Sequence, residues 1–153
     1  MANAVQRFRD GAAELGIDID VRTMDQSTHT AAEAAAAVGC EVRAIVKSLL
    51  FLENDGPLLV LVSGPNRVDT ARLGGRLGAT ITMANAKVVK AATGYSIGGV
   101  PPFGHPVSLR TIIDPDLLDV AEVWAAAGSA TAVFGIAPQK LVELTHAEVV
   151  AVN

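Results

Sequence analysis

Apolar residues at helical spacing predict several short helices along this chain. The first covers residues 3–15, where apolar side chains recur every three or four positions, and Gly16 is placed to end it. A second begins after Thr30, because Glu33 follows it in a capping-box pattern, and Gly39 would terminate it. Further helices are predicted at residues 68–77, 85–93 and 138–144, with one helical turn opening at residues 114–115.

Apolar runs and alternating segments predict the strands. The clearest pair lies at residues 44–52 and 58–63, joined by residues 53–57, which are rich in turn-forming types. Hairpin connections of this kind exclude a simple doubly wound sheet. Other strands are predicted at residues 17–23, 107–113, 120–126, 132–136 and 148–152. The sequence therefore predicts an α/β fold in which a mixed, curved, barrel-like β-sheet is surrounded by short helices.

Length and composition favour one compact domain over residues 1–153. Half of the residues are hydrophobic and 18% are charged, which supplies a core and excludes charge-rich disorder. Cys40 is the single cysteine, so we expect no internal disulfide, no metal and no other cofactor. The apolar run at residues 44–52 is too short to span a bilayer, and the N-terminus lacks a signal-like segment. We therefore expect a cytoplasmic protein without a membrane partner.

Charge is distributed unevenly, although the formal net charge is only −4. Residues 1–42 carry three Lys or Arg against seven Asp or Glu, residues 43–110 carry eight against three, and residues 111–153 carry one against six. A basic middle segment could present a positive face to a polyanion such as a nucleic acid. Alternatively, these charges scatter over the folded surface, and the sequence leaves both interpretations open.

Lys47 stands out within the strand predicted at residues 44–52, because its neighbours there are apolar. Burying an ammonium group is costly unless it meets anions or strong acceptors. Strand alternation puts Lys47 on one face with Ile45, Leu49 and Phe51, so that face is not clearly exposed to solvent. Lys47 is either an edge-strand lysine that reaches solvent, or a lysine held at a cleft to receive a phosphate or a polarised carbonyl.

Four glycines and two prolines fall within residues 94–105, which predicts a loop of defined shape. Consecutive Gly98 and Gly99, followed by Val100, can aim several main-chain N–H groups at one point, as the stabilisation of an oxyanion requires. The loop lacks the Gly-Lys-Ser/Thr ending of a Walker motif, and it is not a dinucleotide fingerprint. Taken alone, the pattern is also compatible with a purely structural turn.

The sequence indicates no side-chain nucleophile. His29, His105 and His146 lie far apart without metal-ligand spacing, and no serine occupies a Gly-x-Ser-x-Gly elbow. Cys40 follows a predicted helix end, which does not favour an activated thiol. Covalent catalysis by a side chain is therefore not predicted.

Two segments in this order and separation carry a family resemblance: residues 45–51, Ile-Val-Lys-Ser-Leu-Leu-Phe, and residues 94–102, Gly-Tyr-Ser-Ile-Gly-Gly-Val-Pro-Pro. Supporting matches lie at residues 27–30, 61–69, 127–129 and 136–141. Together they resemble the YbaK/prolyl-tRNA-synthetase-associated editing domain family, which includes the insertion domain of bacterial prolyl-tRNA synthetases and free-standing trans-editing relatives. The resemblance covers nearly the whole chain.

The resemblance implies hydrolysis, in trans, of the ester between an amino acid and the terminal ribose of a mischarged tRNA. It implies Lys47, Gly98, Gly99 and Val100 as catalytic residues. The substrate-binding residues that it implies are Ser48, Thr28, His29, Pro101, Pro102 and Ser129. The implied partner is tRNA, through the acceptor end of a mischarged tRNA for proline, and prolyl-tRNA synthetase is a second candidate partner.

Two other functions stay open at this point. The chain could be a non-catalytic nucleic-acid-binding protein that uses the basic middle segment, or a hydrolase of a small non-RNA ester on the same fold. The position of Ser48 varies between subfamilies and helps to shape the pocket in relatives, so the amino acid removed stays open. The tRNA, the oligomeric state and whether Lys47 contacts a phosphate or a carbonyl are equally open.

Overall fold

The computed structural model describes residues 3–24 and 30–153. Within these ranges the α-helices are α1 Ala4–Glu14, α2 Ala31–Val38, α3 Thr70–Leu77, α4 Ala86–Thr93 and α5 Pro138–Thr145. The strands are β1 Val21–Thr23, β2 Val46–Glu53, β3 Gly56–Ser63, β4 Ile81–Met83, β5 Arg110–Ile113, β6 Val123–Ala126, β7 Ala132–Ile136 and β8 Glu148–Val149. Short 3-10 helices occupy Val42–Ala44 and Pro115–Asp119.

The strands form two sheets. The larger has the order β4-β2-β3-β5-β8, in which β2 is antiparallel to β3 and β4, whereas β5 is parallel to β3 and β8. The smaller sheet, β1-β7-β6, is antiparallel throughout. A single parallel bridge between Ile45 and Trp124 connects them. The predicted mixed α/β fold with short helices is confirmed, and no closed barrel forms within residues 3–24 and 30–153.

Local capping groups set the helix ends where the sequence places them. Thr30 Oγ1 accepts a hydrogen bond from Glu33 N at 3.1 Å and donates one to Glu33 Oε1 at 3.0 Å, as the capping-box pattern predicts. Asn85 Oδ1 accepts from Val88 N at 2.9 Å and so begins α4. Among the helices of the described ranges, none has the length and apolarity to cross a membrane.

The β2–β3 hairpin is tighter than the sequence predicts. Only Asn54 and Asp55 form the turn, with φ of 47° and 72°, while Gly56 already pairs with Glu53. A turn with positive φ at both central residues matches the twist of the strands that it joins. Pro57 then falls opposite Leu52 at a position that makes no ladder hydrogen bond, so its missing N–H is harmless.

The central strand β3 is buried on both faces. Leu58, Val60 and Val62 pack on the side of the larger sheet that carries α3. Leu59 and Leu61 belong to the core between the two sheets. In that core the rings of Phe8, Phe103 and Phe134 contact one another, with centroids 5.0 to 5.6 Å apart. This cluster fixes α1 against the loop at residues 94–105 and against β7.

Several predicted strands are longer than the observed ones, and one strand was missed. The structure has only the shorter strands β1, β5, β6 and β8 where strands are predicted at residues 17–23, 107–113, 120–126 and 148–152, respectively. Outside the observed strands these residues belong to no described ladder, although Val150 N still donates to Ile113 O at 3.2 Å, and propensity alone does not form a ladder. The missed strand, β4, has three residues, which are too few to show an alternation.

Candidate functional site

The edge of β2 is open along its first half. Ile45 pairs with Trp124 at the start, while β4 pairs with β2 only at residues 51–53, followed by a bond from Ala84 N to Leu50 O at 3.4 Å. Because the hairpin closes at Glu53 and Gly56, the odd-numbered residues of β2 bond to β3. The N–H and C=O of Ser48 therefore point to the open edge, where the described residues supply no partner strand.

A cavity of about 280 Å³ lies along this open edge. Most of its lining is apolar, contributed by β2, β6, β7, α4 and the loop after α4. Its apolar walls include Ile45, Leu50, Val89, Trp124, Ala125 and Val133. Lys47, Ser48, Gly98 and Val100 line the same cavity, as do Met83 and Ile97, whose side chains are 78% and 60% exposed. The volume lies near the lower limit of small-molecule pockets, so the cavity suits a small group.

Lys47 leaves β2 on the face shared with Leu49 and Phe51 and donates a hydrogen bond to the main-chain oxygen of Asn66. Burial lowers the pKa of Lys47, and so does the positive charge of Arg67, whereas the charge of Asp114 raises it. An ammonium group has three donors. Since Asn66 takes one of them, the other two have no partner among residues 3–24 and 30–153 and are candidates for binding a ligand.

Ser48 lies on the opposite face of β2 from Lys47. Its Oγ is buried and has no hydrogen-bond partner, the one such side-chain atom found within the described ranges. Buried hydroxyl groups in folded proteins are nearly always hydrogen-bonded, so an unpaired one calls for a missing partner. A polar atom of a ligand in the cavity would supply that partner.

The segment at residues 98–102, which we call the glycine–proline loop, presents its main chain to the cavity at Gly98 and Val100. Gly98 has a φ of 89°, in a region that strongly favours glycine. The N–H of Gly99 is engaged in a turn, since it donates to Ser96 O at 2.9 Å. The N–H groups of Gly98 and Val100 are therefore the better candidates for binding a ligand.

Gly99 packs against the chain at residues 128–129. A Cβ atom at Gly99 would lie 2.9 Å from both Gly128 O and Ser129 Cα, closer than such contacts ever occur. Ser129 therefore supports the loop from behind rather than lining the cavity. Its Oγ lies 3.3 Å from Thr131 Oγ1 and accepts from Thr131 N at the same distance.

The two prolines of the loop are buried and face away from the cavity lining. Pro101 O accepts a hydrogen bond from His105 Nε2 at 2.7 Å, and Pro102 lines a separate groove with His105 and Arg110. Burial lowers the pKa of His105, and the hydrogen bond to Pro101 opposes that shift. These contacts give the prolines and His105 a part in holding the loop's shape.

The structure thus brings together Lys47, Ser48, Gly98 and Val100, and places Gly99, Pro101, Pro102 and Ser129 behind them. Thr28 and His29 lie outside the described residues. Sequence reasoning missed Asn66 as the acceptor for Lys47. It also read Asp114 only as the start of a helical turn, although a carboxylate directly after an apolar strand was a usable signal.

Comparisons with known proteins indicate a similarity to aminoacyl-tRNA editing domains. Residues 25–144 match the family model described as the aminoacyl-tRNA editing domain. The uncharacterized protein YwhH of Bacillus subtilis (strain 168) is 30% identical over 131 residues, which cover 85% of this chain and 83% of YwhH. The crystal structure of a proposed trans-editing enzyme for prolyl tRNA synthetase superposes with a TM-score of 0.94 at 40% identity, covering 100% of this chain and 98% of that one.

Part of the chain also resembles a much longer enzyme. A proline–tRNA ligase of Nitratidesulfovibrio vulgaris (strain DP4) is 32% identical over 90 residues, or 58% of this chain. The match covers only 16% of the ligase. The similarity is therefore restricted to one segment of that enzyme.

Proposed function

This chain belongs to the aminoacyl-tRNA editing domain family, and from that premise we propose that it is a trans-acting deacylase of mischarged tRNA. The expected substrate is a small amino acid esterified to the tRNA for proline. The observation that carries the proposal is a single apolar cavity lined by both Lys47 and the main chain of the glycine–proline loop. A cation and main-chain donors at one small pocket suit an aminoacyl ester, which joins a phosphate-bearing nucleotide to a compact side chain.

In this mechanism the amino-acid side chain enters the cavity and the terminal nucleotide stays at its mouth. The ammonium group of Lys47 holds the terminal phosphate or the carbonyl by charge-assisted hydrogen bonds. The N–H groups of Gly98 and Val100 bind the carbonyl oxygen as it becomes an oxyanion, and loss of one such donor costs about 3 kcal/mol of transition-state stabilisation. The attacking water is ordered by main-chain groups or by the free ribose hydroxyl, so no protein base is required.

The cavity walls support selection by size. We propose that the walls of the cavity, which include Val89, Trp124 and Val133, rather than its volume of about 280 Å³, make it selective for small side chains. Such a filter is useful because one methylene group is discriminated by only about 1–3 kcal/mol at a synthetase pocket. Alanine, serine and cysteine are the side chains we expect to be removed.

The charge distribution supports an RNA substrate. Residues 43–110 carry eight Lys or Arg against three Asp or Glu, and the charges of Lys47 and Arg67 lie close enough to act on each other. Cations in this arrangement attract the phosphates of a single-stranded acceptor end. The partners we propose are tRNA in the cytoplasm and, through the shared segment, prolyl-tRNA synthetase.

The direct test is a deacylation panel in which alanine, cysteine, serine and proline are each esterified to the tRNA for proline. Release of free amino acid is measured with and without the protein. We expect at least one of the three small amino acids to be released ten times faster or more than proline, because a deacylase that removed proline would destroy the correctly charged tRNA. The same panel on the tRNA for alanine measures dependence on the tRNA body.

Two results would favour the competing functions. Tight tRNA binding without release of any amino acid would indicate a non-catalytic nucleic-acid-binding protein. Hydrolysis of a simple aminoacyl ester at high salt, with no response to tRNA, would indicate a small-ester hydrolase.

Ser48→Ala should stabilise the protein while weakening its activity. The substitution removes a buried hydroxyl that has no partner among the residues that the structure describes, so the free energy of unfolding should rise by about 1 kcal/mol. The hydroxyl would bond to the bound aminoacyl group, so kcat/KM should fall by about tenfold. Thermal unfolding and deacylation kinetics measure the two effects.

Ser63→Ala is the matched stability control for Ser48→Ala. Ser63 Oγ donates to Arg43 O at 2.7 Å, so its removal should lower the free energy of unfolding by about 1 kcal/mol. A Ser48→Ala protein that loses stability to the same extent and keeps full activity would show that the hydroxyl has a structural role instead.

A further inference from the structure

The acceptor for Lys47 is a main-chain carbonyl on a loop, so the position of the ammonium group depends on how firmly that loop is held. Asn66 lies on the β3–α3 loop, residues 64–69, and its carbonyl oxygen receives the Lys47 ammonium group. A loop carbonyl is a reliable acceptor only if its position is fixed from several sides. Several contacts fix this one, and the N–H of Asn66 itself donates to Ser63 O at 2.9 Å.

Two further contacts lie at the start of the loop. Gly64 packs so closely against the 3-10 helix Val42–Ala44 that a Cβ atom would lie 2.2 Å from Val42 O. Ser63 Oγ donates to Arg43 O at 2.7 Å, on the same helix. The end of β3 is thereby fastened to the segment that leads into β2.

Another contact is made by the carboxylate of Asp114, which is 2% exposed at the end of β5. Its Oδ2 accepts from Ser63 N at 3.1 Å and from Asn66 Nδ2 at 2.8 Å, while its Oδ1 accepts from Asp116 N at 3.0 Å. One buried carboxylate therefore ties the last residue of β3 to the side chain of Asn66, whose Nδ2 also donates to Asp116 Oδ2 at 2.7 Å. A buried charge is retained at a cost, which its hydrogen bonds only partly offset.

We propose that Asp114 and Asn66 are positioning residues for the editing reaction: Asp114 holds Asn66 so that its carbonyl keeps the Lys47 ammonium group in place at the cavity. The proposal rests on the function proposed above. Neither residue touches the substrate, and both act through Lys47. Asp114 also acts by its charge, because Lys47 and Arg67 are both cations and the buried carboxylate offsets their mutual repulsion.

The test combines an equilibrium titration with kinetics. The chain has four lysines, at positions 47, 87, 90 and 140, so the side-chain signals of ¹³C-labelled lysine are few, and Lys47→Arg identifies the one from Lys47. Because the Asp114 charge raises the pKa of Lys47, Asp114→Asn should lower that pKa further. The alkaline limb of kcat/KM, after subtraction of the uncatalysed rate, should move to lower pH in the same variant.

Asn66→Ala keeps the carbonyl but removes the side chain that anchors it. We expect kcat to fall about tenfold in both Asn66→Ala and Asp114→Asn, with KM changed less than threefold. Asn66 is only partly buried, so this variant remains informative if Asp114→Asn does not fold. Its Lys47 signal should show a wider range of positions, seen as a broadened or shifted resonance.

Thr111→Val is the matched control. Thr111 lies on β5, is buried like Asp114, and loses only a local hydrogen bond of 3.0 Å to Leu109 O. It should change neither the Lys47 titration nor kcat. The proposal would be overturned if the Lys47 titration is unchanged in both Asp114→Asn and Asn66→Ala and if neither variant, once corrected for its loss of stability, has a lower kcat than Thr111→Val. The titration needs no substrate, so it separates a failure of the positioning proposal from a failure of the deacylase proposal.

Discussion

Lys47→Ala should reduce deacylation of a mischarged tRNA by about a hundredfold or more while leaving the protein folded. The loss of charge-assisted hydrogen bonds to the substrate corresponds to about 3 kcal/mol of transition-state stabilisation, which is a factor of about 10² in rate. The fold should tolerate the change, because the ammonium group is partly desolvated and makes a single hydrogen bond within the described part of the chain, to Asn66 O. Single-turnover rates and thermal unfolding of the same preparation measure both effects.

Two companion variants sharpen this experiment. Lys47→Arg keeps the charge but changes the geometry of the donors, so it should retain part of the activity. Lys140→Ala removes an exposed lysine on α5, 3.6 Å from Glu143 and away from the cavity, and should keep the full rate. A stable Lys47→Ala protein with wild-type rates would remove the proposed mechanism.

Gly98→Ala should also lose most of the activity, by about a hundredfold, through a change in the loop's backbone. At Gly98 a Cβ atom would meet no neighbour within 4 Å, so the effect comes from the φ of 89° alone. A non-glycine residue is disfavoured in this region by about 1–2 kcal/mol, and the loop is expected to relax toward a negative φ. That movement would turn the N–H groups of Gly98 and Val100 away from the oxyanion position.

Gly16→Ala is the matched control, because it introduces the same backbone strain at a position outside the cavity. Gly16 has a φ of 75°, also with no neighbour within 4 Å of its would-be Cβ atom, and it lies at the end of α1. The two variants should therefore lose similar stability in denaturant unfolding, and only Gly98→Ala should lose activity. Equal activity in both would mean that the loop's N–H groups do not bind the substrate.

The parts of the fold that sequence could predict are the ones decided locally. Thr30 and Glu33 carry their own capping geometry within three residues, and the turn at Asn54 and Asp55 is specified by its own residues. Strand ends are decided by whether a partner strand is present, which depends on chain far away in sequence. For this reason the strand predicted at residues 107–113 starts only at Arg110, whereas β4 was missed because its three residues are too few to show an alternation.

The residues of the site also divide into those that the local sequence identifies and those that depend on contacts between distant parts of the chain. Lys47 was recognisable as a charged residue within an apolar strand, and the glycine–proline loop by its composition, while their pairing came from the family resemblance. Asn66 and Asp114 were not recognised, because their hydrogen bond joins residues 48 positions apart, and the position of Asp114 directly after an apolar strand does not by itself identify its partner. The unpaired Ser48 hydroxyl is visible only when the packing around it is known.

The open edge of β2 bears on the behaviour of the protein at high concentration. Unpaired strand edges are where chains of different molecules join into aggregates. Here the unpaired stretch around Ser48 is recessed between Trp124 and the bond from Ala84 to Leu50, and it runs only about three residues. A compact ligand can reach these groups, whereas an extended strand from a second molecule would need more length than the gap offers. The same enclosure that makes the edge available for recognition therefore protects it from self-association.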